Sequence, residues 1–269
     1  MTTDREGRLE ARSWGGDQPP GEMTGQTVIV TGGARGQGEE EVRLFLAAGA
    51  NVVIADIEAD RGVKVADELG ERVRFVPLDV TKESDWKKLV GGLDDWPPVR
   101  TLVNNAGVHW TRPLEEESAA DLERMLRVNL IGPQIGMRHV VEPMTRAGGG
   151  SIINVCSVLA MLGLRSSSSY VASKWGLRGM TKAAAMELGQ HRIRVNAVLP
   201  GYIKTPMLAS AGGERPSDYY DYLPLRRQGS PTEVAEVVLF LASQRSAYLT
   251  GADFVVDGGM TAVSGPRYW

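Results

Sequence analysis

The sequence predicts an α/β protein with one domain built on a parallel sheet, and three observations predict it. Short apolar runs alternate with helical patterns at a spacing that suggests repeated βαβ units. Near-continuous apolar runs such as Val28-Ile29-Val30 fit strands buried on both faces. No linker interrupts the chain after residue 25. Its 269 residues therefore read as one open sheet, although a prior of roughly 150 residues per domain suggests two.

The elements follow in order. Residues 26–31 form the first strand, and a helix runs from about Gly36 to Ala48. Residues 51–56 are the second strand, followed by a helix through Leu69. Residues 72–79 and 101–104 are the third and fourth strands, separated by a helix at about residues 84–93. One long helix is expected over residues 119–144, a fifth strand over 151–157 and a second long helix over 168–188. A sixth strand at 192–199, a helix at 232–243 and a seventh strand at 253–257 complete the pattern. Residues 207–227 break it, with Gly212, Gly213, Pro216 and Pro224 beside Tyr219, Tyr220 and Tyr222. Two readings fit this stretch: a lid over an apolar substrate, or a surface excursion held by its own tyrosines.

Residues 1–23 are expected to be a flexible tail, leaving 24–269 as the domain. Asp4, Arg5, Glu6, Arg8, Glu10 and Arg12 leave no apolar core for a signal peptide. Met23 is also an alternative start. No apolar run approaches the ~18 residues of a membrane span. A net charge of −3 without a basic tract argues against nucleic acid or an anionic membrane as partner. The single cysteine, Cys156, excludes an intramolecular disulfide and fits a cytoplasmic protein. Three scattered histidines without paired cysteines predict no metal site.

The first chemical signal is the run Thr31-Gly32-Gly33-Ala34-Arg35-Gly36-Gln37-Gly38, lying between a strand and a helix. Glycines there let backbone approach a pyrophosphate, and the helix N-terminus supplies amide donors and partial positive charge. Asp56 closes the second strand 20 residues after Gly36. Its carboxylate can accept from ribose hydroxyls and repel a 2′-phosphate, which favours NAD over NADP. Arg35 argues the other way, as a guanidinium able to bind that phosphate. Glu39, Glu40 and Glu41 are expected to complement the helix dipole.

The second signal is Tyr170 with Lys174 four residues on, since i and i+4 share a helix face. Of the seven tyrosines, only Tyr170 has this partner. Bringing a phenol from a pKa of about 10 to about 7 takes roughly 4 kcal/mol, and a nearby cation is the natural source.

With TGGARGQG at 31–38, Asp79-Val80, Asn104-Asn105-Ala106-Gly107, Asn129, Ser157, YVASK at 170–174, Pro200-Gly201 and Asp257-Gly258-Gly259 in this order, the chain resembles the short-chain dehydrogenase/reductase family from about residue 24 to 259. Ser157 precedes Tyr170 by the 13 residues usual there. The resemblance implies one doubly wound Rossmann-fold domain with strand order 3-2-1-4-5-6-7. Within the family, TGGARG, ASKWGLRG and AAMELGQHRIRVN look most like bacterial NAD-dependent 3α(20β)-hydroxysteroid dehydrogenases and related secondary-alcohol enzymes.

It also implies roles. Tyr170 is the general acid of ketone reduction and the base of alcohol oxidation, and Ser157 binds the substrate oxygen. Lys174 lowers the Tyr170 pKa and binds the nicotinamide ribose, and Asn129 holds a water in a proton relay. Gly32, Arg35, Gly36, Gln37 and Gly38 belong to the pyrophosphate turn. Asp79 and Val80 flank adenine, and Asn104, Asn105, Ala106 and Gly107 line the cleft. Ile203 and Thr205, after Pro200 and Gly201, contact the carboxamide. Three positions depart from the family pattern: Gln37 replaces an apolar residue, Cys156 a serine, and Ala160 a glycine whose loss could reshape the substrate wall.

The expected activity is hydride transfer between NAD and a bulky apolar secondary alcohol or ketone, by a homotetramer. Leu159, Met161, Leu164, Trp110 and the tyrosines 219, 220 and 222 are expected to supply the apolar pocket. Two alternatives stand beside it. One is a 3-oxoacyl thioester reductase using NADPH; Asp56 and the sequence Ala185-Met186-Glu187 disfavour it, because arginine is frequent there in those enzymes. The other is a non-catalytic cofactor sensor, a class that commonly loses the tyrosine or lysine retained here.

Overall fold

A computed structural model describes residues 21–210 and 219–262. Seven strands form one parallel sheet: β1 (Thr27–Thr31), β2 (Asn51–Asp56), β3 (Val73–Pro77), β4 (Val99–Asn104), β5 (Gly150–Val155), β6 (Ile193–Pro200) and β7 (Asp253–Val256). Their order is β3-β2-β1-β4-β5-β6-β7. The expected doubly wound fold and strand order are therefore observed.

Side chains alternate across the sheet, so each strand feeds two cores. Val28, Val30, Val52 and Ile54 face α1 (Gly36–Ala47), α2 (Ala59–Leu69) and α8 (Pro231–Ala242). Ile29, Val53 and Ala55 face the opposite way. There they meet α3 (Glu83–Gly91), α5 (Gly132–Arg146) and α6 (Ser168–Leu188). Met23, assigned to the tail by the sequence reading, is fully buried in the first core, and its amide donates to Ala48 O at 2.9 Å. The folded part thus begins earlier than residue 24. Residues 1–20 lie outside the described residues.

The helix expected over residues 119–144 is not continuous. It divides into α4 (Ala119–Leu126), a π-turn at Arg127–Ile131, and α5. Pro133 has no N–H for the Asn129 carbonyl, so the α-helical bond cannot form there. Instead Gly132 N reaches back to Arg127 O, a five-residue step. The irregular stretch after residue 206 begins as a short helix, α7 (Pro206–Ser210). The lid reading falls partly on residues 211–218, which lie outside the described residues.

Candidate active site

β1 connects toward β2 and β3 on one side of the sheet, while β4 starts the other half. A crevice opens at the strand ends where the direction reverses, as expected for this architecture. The cleft measures about 620 Å³ and is lined by residues following β1, β2, β3, β4, β5 and β6. Every residue assigned above to cofactor binding lines it except Asn104: the glycine turn, Asp56, Asp79, Val80, residues 105–107, Tyr170, Lys174, Pro200, Gly201, Ile203 and Thr205; Tyr202, not assigned, lines it too.

The glycine turn is made by backbone approaching backbone. Gly32 and Gly36 have φ of +66° and +60°, and a Cβ on Gly38 would lie 2.2 Å from Gly32 O. Thr31 Oγ1 accepts from the amides of Asn105 and Ala106 at 3.1 and 3.0 Å, joining β1 to the β4 loop. No side chain caps the N-terminus of α1. Its first amides therefore remain suited to an anion such as a pyrophosphate, and the glycines leave the room it needs.

Asp56 accepts from Ala34 N and Glu58 N, both at 3.0 Å. It thereby holds the turn as well as facing the cleft. Arg35 is paired with Glu58 at 2.7 Å, which commits the cation that argued for a 2′-phosphate. Both partners are largely exposed, so this pair is weak and can exchange. Glu58 also lines the cleft and adds a second carboxylate that sequence reasoning missed. Asp79 accepts from Thr81 N and Oγ1 at 3.0 and 2.7 Å. Burial raises its pKa, but those bonds and nearby Lys82 outweigh it and hold the carboxyl below its usual range.

Two expectations near the turn need correction. Asn104 does not line the cleft; it is buried in the sheet and donates to Asn154 Oδ1 at 2.8 Å. Glu41 does not serve the helix dipole at the surface; its side chain is fully buried and accepts from Gln37 Nε2 at 3.0 Å. The unbroken run of glutamates at 39–41 hides that position 41 faces inward.

At the other end, Ser157 lies two residues beyond the end of β5 and its Oγ accepts from Leu159 N at 3.1 Å. Burial pushes the Tyr170 phenol up to about 12, despite the opposing influence of the Ser157 hydroxyl. Lys174 does not bring the phenol down here. Its Nζ donates to Val155 O at 2.8 Å and lies 5.8 Å from the Tyr170 ring centre. Burial also lowers the Lys174 pKa. The expected depression of the phenol thus requires the ammonium to turn from Val155 toward the cleft.

Asn129 lies in the π-turn and is fully buried. Its Oδ1 accepts from Val108 N and its Nδ2 donates to Val108 O, both at 2.9 Å. Nδ2 also reaches Ser173 Oγ at 3.2 Å. The side chain therefore clamps the β4 loop. A Cβ on Gly107 would lie 3.3 Å from Asn129 Oδ1 and 3.7 Å from Lys174 Nζ, so this glycine keeps the space between them open.

The substrate side differs in detail from expectation. Leu159, Leu164 and Tyr219 line the cleft, together with Leu162, Arg165, Tyr202 and Met207. Trp110 and Met161 do not: Trp110 packs with Met125 and Tyr170 under Arg124, and Met161 packs toward Leu177. Tyr220 and Tyr222 are likewise outside the lining. Ala160 is fully buried among Cys156, Leu177 and Leu199, so it shapes packing behind the wall rather than the wall itself. His109 was missed by sequence reasoning, which saw only scattered histidines. Its ring meets Tyr170 edge-on at 4.5 Å, and burial followed by the Lys174 charge lowers its pKa. Its position two residues after Gly107 was the available signal. Among the described residues, no group of His, Cys, Asp and Glu could hold a metal ion, and no helix is long and apolar enough to cross a membrane.

A family model described as Enoyl-(Acyl carrier protein) reductase matches residues 32–261. A 3-alpha-(or 20-beta)-hydroxysteroid dehydrogenase of Mycobacterium tuberculosis is 42% identical over 243 residues, which cover 90% of this chain and 92% of that relative. A trans-4-hydroxycyclohexanecarboxylate dehydrogenase of Sinomonas cyclohexanicum is 38% identical over 247 residues, covering 88% and 93% respectively. Among solved structures, a short chain dehydrogenase/reductase family protein superposes with a TM-score of 0.83 at 36% identity, covering 90% of this chain and all of the other.

Proposed function

The chain belongs to the short-chain dehydrogenase/reductase family, and from that premise we propose that it is an NAD-dependent dehydrogenase of bulky secondary alcohols and the corresponding ketones. The observation that carries this reading is the convergence of Ser157, Tyr170 and Lys174, the last one helical turn on from the tyrosine, on the cleft that begins at the glycine turn.

The nicotinamide dinucleotide supplies the hydride acceptor or donor when bound. The chain's own residues do the rest. The α1 amides and Gly32, Gly36 and Gly38 receive its pyrophosphate. Asp56, with Glu58 beside it, accepts from the adenosine ribose and disfavours a 2′-phosphate. Asp79 and Val80 take the adenine end, and residues 200–205 the carboxamide end.

Ser157 orients the substrate oxygen while its own oxygen is fixed by Leu159 N. In ketone reduction Tyr170 gives its proton to that oxygen; in alcohol oxidation it takes the proton back. A buried phenol near 12 is a proton donor as it stands. The oxidative direction needs Lys174 to leave Val155 and face the phenolate. Asn129 fixes Val108 and with it the loop that carries Gly107 beside Lys174, where a relay through water would run.

Leu159, Leu162, Leu164, Met207, Tyr202 and Tyr219 support a ring-bearing apolar substrate, since burying such surface contributes roughly 25 cal/mol per Å². The two relatives named above act, by their names, on a steroid and on a cyclohexane ring. The NADPH-dependent thioester reductase is disfavoured by Asp56 and Glu58 together. The assembly is a homotetramer in the cytoplasm: Trp175 and Met186 on α6 and Leu122 on α4 are exposed apolar side chains suited to a symmetric interface.

The test is a turnover screen of steroid, cyclic and aliphatic secondary alcohols with NAD and NADP side by side. Ring-bearing alcohols with NAD are expected to give the highest kcat/KM. Faster turnover with NADP overturns the cofactor reading. Absence of turnover with every alcohol and ketone overturns the activity.

A further inference from the structure

A carboxyl group sealed under the glycine turn is unused by the chemistry above. Glu41 is fully buried on α1, and its Oε2 has no hydrogen-bond partner. Its Oε1 accepts one neutral donor, Gln37 Nε2, at 3.0 Å. That same Nε2 lies 3.3 Å from Asn105 Oδ1. Asn105 Nδ2 in turn donates to the carbonyls of Thr31 and Gly32 at 3.0 and 3.2 Å. A continuous path therefore runs from Glu41 to the backbone oxygen against which Gly38 is packed. Gln37, the residue that departs from the apolar family pattern, is its middle link.

Among the described residues, no cation compensates this carboxyl. The elements packed on α1 are α8, β1 and β2. β1 carries no charged residue. On β2, Asp56 is engaged by Ala34 N and Glu58 N. On α8, Glu233 pairs with Arg227 and Glu236 is exposed. On the turn and on α1 itself, Arg35 pairs with Glu58, Glu39 with Arg43 and Arg61, and Glu40 accepts from Thr232. A fully buried ionised carboxylate facing one neutral donor is costly, so the site favours the protonated acid. Burial accordingly raises Glu41 to about 8, with the Gln37 bond acting against it.

We propose that Glu41 is a positioning residue for the dinucleotide: as a neutral acid it holds Gln37 against Asn105 across the glycine turn, and binding of the cofactor is coupled to keeping that proton. The inference rests on the reading that this turn receives a nicotinamide dinucleotide. The sign follows from charge. A pyrophosphate beside the turn adds negative charge, which disfavours ionisation of Glu41 further. Binding therefore takes up a proton wherever free Glu41 is ionised, and affinity falls as pH rises through about 8.

The experiment is NADH binding by fluorescence on the intact protein from about pH 6.5 to about pH 9.5. Kd is expected to be flat at the lower end and to rise toward about tenfold per pH unit above the midpoint. Glu41→Gln should flatten the profile, because an amide does not titrate. In the unmodified protein, calorimetry in two buffers of different ionisation enthalpy should show proton uptake on NADH binding above the midpoint. An infrared difference spectrum should gain a protonated carboxylic acid band under the same conditions. The last two measurements hold even where Glu41→Gln fails to fold. A flat Kd without proton uptake in the unmodified protein overturns the proposal, as does an unchanged slope in Glu41→Gln. NADH binding with a flat profile leaves the cofactor reading standing, whereas no NADH binding at any pH removes both.

Discussion

At the glycine-turn end of the cleft a Cβ on Gly38 would lie 2.2 Å from Gly32 O, whereas at the substrate end a Cβ on Gly163 meets nothing within 4 Å. The first end is backbone fitted to backbone, joined by Thr31 and Asn105 to the neighbouring strand loop. The second is assembled from side chains of three segments outside the sheet, several of them exposed, including Leu162, Leu164 and Met207. A single geometry therefore serves a constant ligand at one end, and the other end can change its lining without disturbing the fold. Tyr170 stands where the two meet.

The largest expected effect is at that junction. Tyr170→Phe keeps the ring but has no proton to transfer, so kcat should fall by about 10²–10⁴ while NADH affinity stays near normal. Steady-state kinetics beside fluorescence titration checks both halves, and near-normal turnover would sink the assignment.

The next effect is on stability. Glu41 holds its proton to about 8 when folded, against an ordinary value of 4.5. A raised acid loses stability as pH climbs between those values, because the unfolded chain releases the proton first. At about 1.36 kcal/mol per pKa unit, the loss by pH 8 is at most about 5 kcal/mol. Glu41→Gln should therefore gain melting temperature relative to the unmodified protein at pH 8 more than at pH 5. An equal difference at both values would contradict the buried acid.

The two ends are separated most directly by a pair of alanines. Gly38→Ala must displace backbone, with an expected cost of roughly 1–3 kcal/mol and a loss of NADH binding. Gly163→Ala should stay within about 0.5 kcal/mol and leave NADH binding unchanged. Similar losses from both would erase the contrast drawn here.

The smallest effect concerns cofactor choice. Asp56→Ser removes one of two carboxylates facing the ribose position, and the ratio of NAD to NADP kcat/KM should drop about tenfold, or about 1.4 kcal/mol. Glu58 remains, so the preference should narrow rather than invert. An unchanged ratio would move the discrimination elsewhere.

The sequence was readable where chemistry demands a residue type. Positive φ and close backbone contact require Gly32 and Gly38, and a buried strand end places Asp56, so these positions announce themselves. The strands are legible for the same reason, since both faces must be apolar. Side-chain direction is what sequence does not carry. Trp110 and Met161 stand in the expected segments yet point away from the cleft, while His109 turns onto Tyr170. Glu41 is chemically identical to its half-buried neighbours and differs only in which face of α1 it occupies. The π-turn was missed although Pro133 marks it, because a proline near residue 130 reads equally as a tolerated kink.

Cys156 directly follows β5 and precedes Ser157; it is 3% exposed, and burial pushes its thiol up to about 12. A thiol-specific reagent can react with it only when this strand end opens. The labelling rate of this one sulfur is therefore a clock for local breathing at the floor of the cleft, readable without introducing any probe. Saturating dinucleotide should slow that clock, and the factor by which it slows measures how much the ligand stiffens the centre of the sheet.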